Sequence, residues 1–159
     1  IALAKGIASG MPLGAMVARA DIMTWEAGSH ASTFGGNPVS CQAALATLAL
    51  LEESLMANAT ARGEQLMAGL RELQKSIECM GDVRGMGLMV GVELVKDRIT
   101  KERAHEWRNE VIQKAFRKGL LLLGCGDSTI RFCPALTISA EEIEVGLSIF
   151  EEAVREVAG

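Results

Sequence analysis

Four stretches of the chain place apolar residues at helical spacing, three of them with a start or stop signal. Asn37-Pro38 is an N-cap followed by a proline at the first helical position. The run from there to about Ser54 has Ala44, Leu45, Leu48 and Leu51 in phase, with alanines between them. It is apolar nearly all round, which predicts a buried helix. A second helix is expected from about Ala59 to Glu78, with Leu66, Leu70, Leu73 and Ile77 on one stripe. A third follows Thr100, turns Trp107, Val111, Ala115 and Phe116 inward, and stops at Gly119. The fourth opens on Ser139-Ala-Glu-Glu142, a capping box, and continues through Ile143, Leu147, Phe150, Val154 and Val157.

Shorter apolar runs lie between these helices. Leu88 to Val95, Leu120 to Leu123 and Ile130 to Cys133 read as strands, the last ending at Pro134. From about residue 56 the expected order is helix, strand, helix, two strands, helix, a compact α/β or α+β unit of about 100 residues. Ile1-Ala-Leu-Ala reads as the end of a buried strand entered in mid-fold. The chain starts without Met and without the basic and apolar regions of a signal peptide. We therefore expect it to be a piece of a longer protein.

Composition narrows the function classes. The 159 residues are 49% hydrophobic, which excludes intrinsic disorder. A net charge of −4 and a pI near 5.3 argue against nucleic acid as a partner. Pro38 to Leu51, the longest low-charge helical stretch, is 14 residues and too short to span a bilayer, so no membrane partner is expected. Cys41, Cys79, Cys125 and Cys133 form no C-x-x-C pair, and there are two histidines. No metal is expected, and reduced thiols in a cytoplasmic protein are the simplest reading. Residues 1–51 hold two basic and two acidic residues against totals of 16 and 20. So charge-poor a segment is expected to be packed interior and close-approach loops.

Three places could carry chemistry. Lys5 follows an apolar tripeptide and precedes a glycine-rich turn. It is either a surface lysine or a partly desolvated amine freed for Schiff-base chemistry. Gly28 to Asn37 offers the hydroxyls of Ser32 and Thr33, the glycines Gly35 and Gly36, and then a helix N-terminus. Such a loop either binds an anion such as phosphate or caps its own backbone. Arg131 sits within an apolar strand and needs an anionic partner, either a substrate carboxylate or a glutamate of the last helix. His30 adjoins the hydroxyl loop with no acid to pair with it. His105 lies on a charged helix face, and the eight methionines read as core filler.

Taken in order, these segments resemble one family. Ala4-Lys5-Gly-Ile-Ala-Ser-Gly-Met-Pro-Leu-Gly-Ala15 resembles the cofactor-lysine segment of class III (ornithine/4-aminobutyrate type) aminotransferases, which depend on pyridoxal phosphate (PLP). His30-Ala-Ser-Thr-Phe-Gly-Gly-Asn-Pro38 is similar to their second hallmark. Arg84-Gly-Met-Gly-Leu-Met-Val-Gly-Val-Glu-Leu94 is similar to the strand that opens their small domain, and Ile130-Arg-Phe-Cys-Pro-Ala-Leu-Thr-Ile138 to their substrate-arginine strand.

The resemblance implies a partial α/β fold-type I PLP-dependent transferase. Residues 1–55 would be the end of the large cofactor domain with its linking helix, and 56–159 the small C-terminal domain. It implies that Lys5 forms the Schiff base with pyridoxal 5'-phosphate and shuttles a proton. Ser32 and Thr33 would reach the cofactor phosphate of the neighbouring subunit of a homodimer, and Arg131 would clamp a substrate carboxylate. The expected reaction is transfer of an amino group from 4-aminobutyrate or a related ω-amino acid to 2-oxoglutarate. Acetylornithine-type transamination, amino-acid racemisation and a non-catalytic remnant are the rivals. Pro134-Ala135 departs from the family's usual Pro-Pro. The family's first half supplies the phosphate cup, the stacking aromatic and the aspartate facing the pyridine nitrogen. Without those segments the isolated chain is expected to be inactive.

Overall fold

The computed structural model describes residues 1–158, in two compact units, 1–55 and 56–159. In the second unit, helix α2 (Met56–Ser76) leads into the hairpin β3 (Met80–Met86) and β4 (Met89–Leu94). Helix α3 (His105–Arg117), strands β5 (Leu123–Cys125) and β6 (Thr129–Phe132), and helix α4 (Ala140–Ala158) follow. The four strands form one antiparallel sheet in the order β3-β4-β6-β5.

Alternation along β4 sends Val90, Val92 and Leu94 to the core face. The register sets Val83 and Ile130 either side of Val92, and Phe132 beside Val90. Helices α2, α3 and α4 complete this core with Leu66, Leu70, Val111, Ala115, Ile143, Phe150 and Val154, all buried. Phe150 meets Phe132 edge to face at 5.0 Å between ring centroids, a favourable aromatic geometry. Burial pushes the Cys79 thiol above its ordinary pKa.

The helix signals act as the sequence reading expected. The Asn37 side chain accepts from the amides of Val39 (3.0 Å) and Ser40 (3.2 Å). Ser139 and Glu142 close a reciprocal capping box, 3.1 Å from the Glu142 amide to Ser139 Oγ and 2.8 Å from the Ser139 amide to Glu142 Oε2. Gly119, at φ +95°, ends α3 in a Schellman motif, with the Leu120 amide donating to the Ala115 carbonyl.

Four expectations change. Strand β3 was not foreseen, because Met-Gly-Asp-Val-Arg-Gly-Met has no run of alternating apolar residues; it is an edge strand and needs only one good face. The strand expected at Leu120–Leu123 is shifted to Leu123–Cys125, since Leu120 and Leu122 pack onto the core before pairing begins. Phe116, expected inward, is 60% exposed; on α3 it falls one residue past Ala115, off the buried stripe. The first two helices do not separate. A π-helical turn, Leu51–Leu55, joins α1 (Pro38–Leu50) to α2, and Pro38–Ser76 runs as one helix of 39 residues. That helix is long and apolar enough, by length and composition alone, to cross a bilayer, so the 14-residue limit does not hold. Its second half buries Gly63, Leu66 and Leu70 in the core of the second unit.

The first unit differs most from expectation. Of the residues 1–51 expected to be interior, only Ala8, Ser40 and Ala44 are buried. Strand β1 (Ala2–Leu3) pairs antiparallel with β2 (Ala15–Met16) as an exposed two-residue ribbon, not as a buried strand. Leu45, Leu48 and Leu50 of α1 are all exposed. Within this unit the elements α1 contacts most are the Lys5–Ala8 turn and the π turn that continues it.

Two outcomes test this packing. A Cβ on Gly63 would collide with the backbone oxygen of Gly87, whereas one on Gly69 would meet the tip of the Leu147 side chain. Gly63→Ala is expected to destabilise the chain by about 1–3 kcal/mol, and Gly69→Ala by less because a side chain can turn away, both read by thermal unfolding. Ser139→Ala removes the α4 cap and is expected to cost about 1 kcal/mol in the same measurement.

Candidate active site

Lys5 opens a single 3₁₀ turn, Lys5–Ala8, that leaves the β1–β2 ribbon and returns to it at Ala15. Its backbone is left-handed, φ +57°, an uncommon conformation for a residue with a side chain. Ser9 closes the turn in the same region at φ +46°, and its amide donates to the Gly6 carbonyl at 3.1 Å. Gly10 follows at φ +100°, where a Cβ would be strained. Ala8 is fully buried, and the turn packs on α1. The Lys5 side chain is exposed, and among the described residues its amine has no hydrogen-bond or ion-pair partner. The structure therefore resolves the sequence alternatives halfway: the lysine is solvent-accessible in this chain, yet it is borne on a strained, anchored turn.

The hydroxyl loop reaches α1 through a tight bend. The Gly35 amide donates to the Ser32 carbonyl (3.3 Å), and the Asn37 amide to the Phe34 carbonyl (3.2 Å). Capping of α1 falls to Asn37, so the Ser32 and Thr33 hydroxyls are not consumed; neither makes a hydrogen bond among the described residues. The self-capping alternative is realised one turn earlier, by Ser29 Oγ donating to the Glu26 carbonyl at 2.8 Å. Free hydroxyls ahead of a capped helix N-terminus can donate to an anion. His30 stacks near Trp25, with ring centroids 4.1 Å apart and no acid in partnership.

Arg131 belongs to the second unit, in the middle of β6. Its cross-strand neighbours are Gly91 on β4, which offers no side chain, and Leu123 on β5. The glutamate on the same face of β4, Glu93, is already bound by Arg84 at 2.9 Å and approached by Ser128 at 3.3 Å. Asp82 and, to a lesser degree, Glu93 hold the Arg84 guanidinium firmly in its charged form. On the last helix, Glu151 pairs with Arg155, Glu152 with Lys118, and Glu156 with Lys114 and Lys118. Arg131 thus has no ion pair among the described residues, and its Nε is buried with no acceptor. An ion pair with α4 is not what the chain makes. A desolvated guanidinium N–H left without a partner costs about 1–3 kcal/mol, so the position is poised to accept an anion. Arg131 also lines a cavity of about 290 Å³ whose other walls are largely apolar: Leu66, Leu122, Ile138 and Ile143.

The sequence reading missed two contributors. Gly91 matters because it stands opposite Arg131, a pairing that exists only in the sheet register. Ser9 and Thr47 share a 2.8 Å hydrogen bond across 38 residues of chain, and no local pattern signals it. Among the described residues no cluster of three or more His, Cys, Asp or Glu side chains is placed to hold a metal ion.

The geometry fits PLP chemistry at these positions. A free amine suits an aldehyde, free hydroxyls suit a phosphate, and an unpartnered guanidinium suits a carboxylate. Comparison with known proteins gives the same direction. The profile of the family described as aminotransferase class-III matches residues 1–154. The chain is 41% identical over 159 residues to a leucine/methionine racemase of Thermococcus litoralis, covering 99% of this chain and 36% of that protein. It is 41% identical to an acetylornithine aminotransferase of Thermosynechococcus vestitus, covering 98% of this chain and 37% of the relative. The 5-aminovalerate aminotransferase DavT of Pseudomonas aeruginosa is 40% identical, with 98% and 37% covered. Among solved structures, an aminotransferase of Bacillus anthracis superposes with a TM-score of 0.90 at 31% identity, covering 98% of this chain and 38% of that one. An amine transaminase from an uncultivated Pseudomonas species, in its PLP-bound form, superposes with a TM-score of 0.87 at 32% identity, with the same coverage. The chain spans little more than a third of the length of the relatives it matches. Its partial α/β architecture is that of PLP-dependent transaminases. With the family profile running along nearly all of its length and the lysine, hydroxyl and arginine segments in place, the chain belongs to the class III aminotransferases.

Proposed function

We propose that the intact protein carrying this chain is a PLP-dependent aminotransferase. In this reading it moves an amino group from an ω-amino acid, 4-aminobutyrate or a near homologue, to 2-oxoglutarate. The observation that carries the reading is Arg131, a strand guanidinium whose Nε is buried without an acceptor among the described residues. Amino donor and oxo-acid acceptor in such a reaction both bear a carboxylate, and one arginine can serve each in turn. The name of the DavT relative, a 5-aminovalerate aminotransferase, supports an ω-amino donor.

Each residue has a defined task. PLP, when bound, supplies an aldehyde for the amine and a ring that draws electrons from the reacting carbon. Lys5 would hold that group through its amine, and the same amine would take the proton from the substrate Cα and hold it for return. Ser32 and Thr33 donate to the phosphate, which in this reading belongs to the neighbouring subunit of a homodimer. Arg131 fixes the substrate carboxylate and with it the orientation of the Cα–H bond. Residues 1–55 end the large domain, and 56–159 form the small one. All four cysteines are free thiols, which supports a cytoplasmic setting.

Racemisation is the second reading, supported by the match to the leucine/methionine racemase and by the apolar lining beside Arg131. It uses the same lysine and differs in the face to which the proton returns.

Borohydride reduction of the intact protein with PLP is expected to leave a pyridoxyl group on Lys5, located by peptide mass spectrometry. Lys5→Ala is expected to abolish both adduct and turnover, and an unlabelled Lys5 would overturn the assignment. Arg131→Gln is expected to raise KM for a carboxylate-bearing donor about ten- to hundredfold while sparing a simple amine. Loss of optical activity from a single-enantiomer amino acid without any oxo-acid acceptor would favour the racemase.

A further inference from the structure

We propose that Ser9 and Thr47 are positioning residues for Lys5: a two-hydroxyl relay ties the lysine-bearing turn to α1 and sets where its amine stands. The inference rests on the reading of Lys5 given above.

The turn is held by little else. The β1–β2 ribbon at its base pairs only two residues on each side and is exposed. The turn's own hydrogen bonds run from the Ile7 amide to Ala4 (3.3 Å), from Ser9 to Gly6 (3.1 Å) and from Met11 to Ala8 (3.0 Å). These shape the turn but do not fix it to anything. Ala8 is buried and Ile7 half-buried where the turn packs on α1, an apolar contact with no directional preference. Among the described residues, the bond between Ser9 Oγ and Thr47 Oγ1 is the one side-chain hydrogen bond that joins residues 1–36 to α1.

The direction of the relay follows from the donors. Thr47 Oγ1 donates its hydrogen to the Ala43 carbonyl, one helical turn back, at 2.8 Å. Its oxygen is then free only to accept, so Ser9 is the donor in the 2.8 Å bond. Ser9 O–H to Thr47 O–H to the Ala43 carbonyl is a directed chain ending on the backbone of α1. It grips the turn at Ser9, the residue that closes it four positions after Lys5. Both ends of the turn are left-handed at non-glycine residues, φ +57° and +46°. A glycine at position 9 would relieve that strain, but it would also remove the donor. The hydroxyl is therefore what position 9 contributes that glycine cannot.

The test uses the intact protein with PLP as the probe. The Lys5 amine adds to the aldehyde carbon, water leaves, and borohydride delivers hydride to the carbon–nitrogen double bond. The rate of pyridoxyl labelling at Lys5 is followed by mass spectrometry across a pH series, alongside thermal unfolding. Thr47→Val and Ser9→Gly are expected to slow labelling about three- to tenfold, and Thr47→Ser to restore it. Ser9→Gly is expected to unfold no lower than the parent, which separates positioning from stability. Parental labelling rates in Ser9→Gly, or in a folded Thr47→Val, overturn the inference, and so does a Thr47→Ser variant that stays slow. A parent protein that labels nowhere at Lys5 overturns the functional reading and this inference together.

Discussion

The antiparallel register of β4 against β6 sorts the side chains of the second unit into two populations. With Val92 opposite Ile130 and Val90 opposite Phe132, one face closes over the helices. A slip of β6 by one residue would send Ile130 and Phe132 into water and turn Arg131 toward the core. The same register leaves Arg131 facing a glycine on one side and a leucine on the other. The core therefore enforces the isolation of the guanidinium. Glu93, on the same face of β4, is bound by Arg84 instead.

The first unit shows the opposite balance. It has few charges, little burial and a long apolar helix whose sides are mostly open. What it holds firmly is local: a capped helix start, a short ribbon and the turn bearing Lys5. Its order comes from backbone geometry and a few hydroxyls. Left-handed residues at both ends of one 3₁₀ turn are a local cost of about 1–3 kcal/mol each, which neighbouring contacts must offset. Such turns recur where a reactive side chain has to be presented at a set angle.

Membership of the class III aminotransferases ties these observations to one chemistry. The three candidate segments are spread over 127 residues of sequence, from Lys5 to Arg131, and lie in both units. Each supplies a group left uncommitted by its own surroundings: an amine without an acid, hydroxyls without acceptors, a guanidinium without an anion. Of these only the guanidinium N–H is buried, and folding normally pairs a buried donor, so Arg131 is the one of the three whose lack of a partner among the described residues stands out.

The sequence by itself determined the helices, because a cap, a periodic stripe and a stop are local features. Asn37, the Ser139–Glu142 box and Gly119 all act in place. It also determined the family, because the segments that carry the likeness are contiguous text. Tertiary structure alone decided the edge strand β3, whose glycines and charges hide its pairing, and the π turn that fuses α1 to α2. It alone placed Gly91 opposite Arg131 and Ser9 against Thr47. Those choices depend on residues brought together across 38 and 40 positions, where no local propensity reaches. The first 51 residues are mostly exposed in a chain that spans little more than a third of its relatives' length, and an apolar composition says that a surface prefers cover without saying what supplies it.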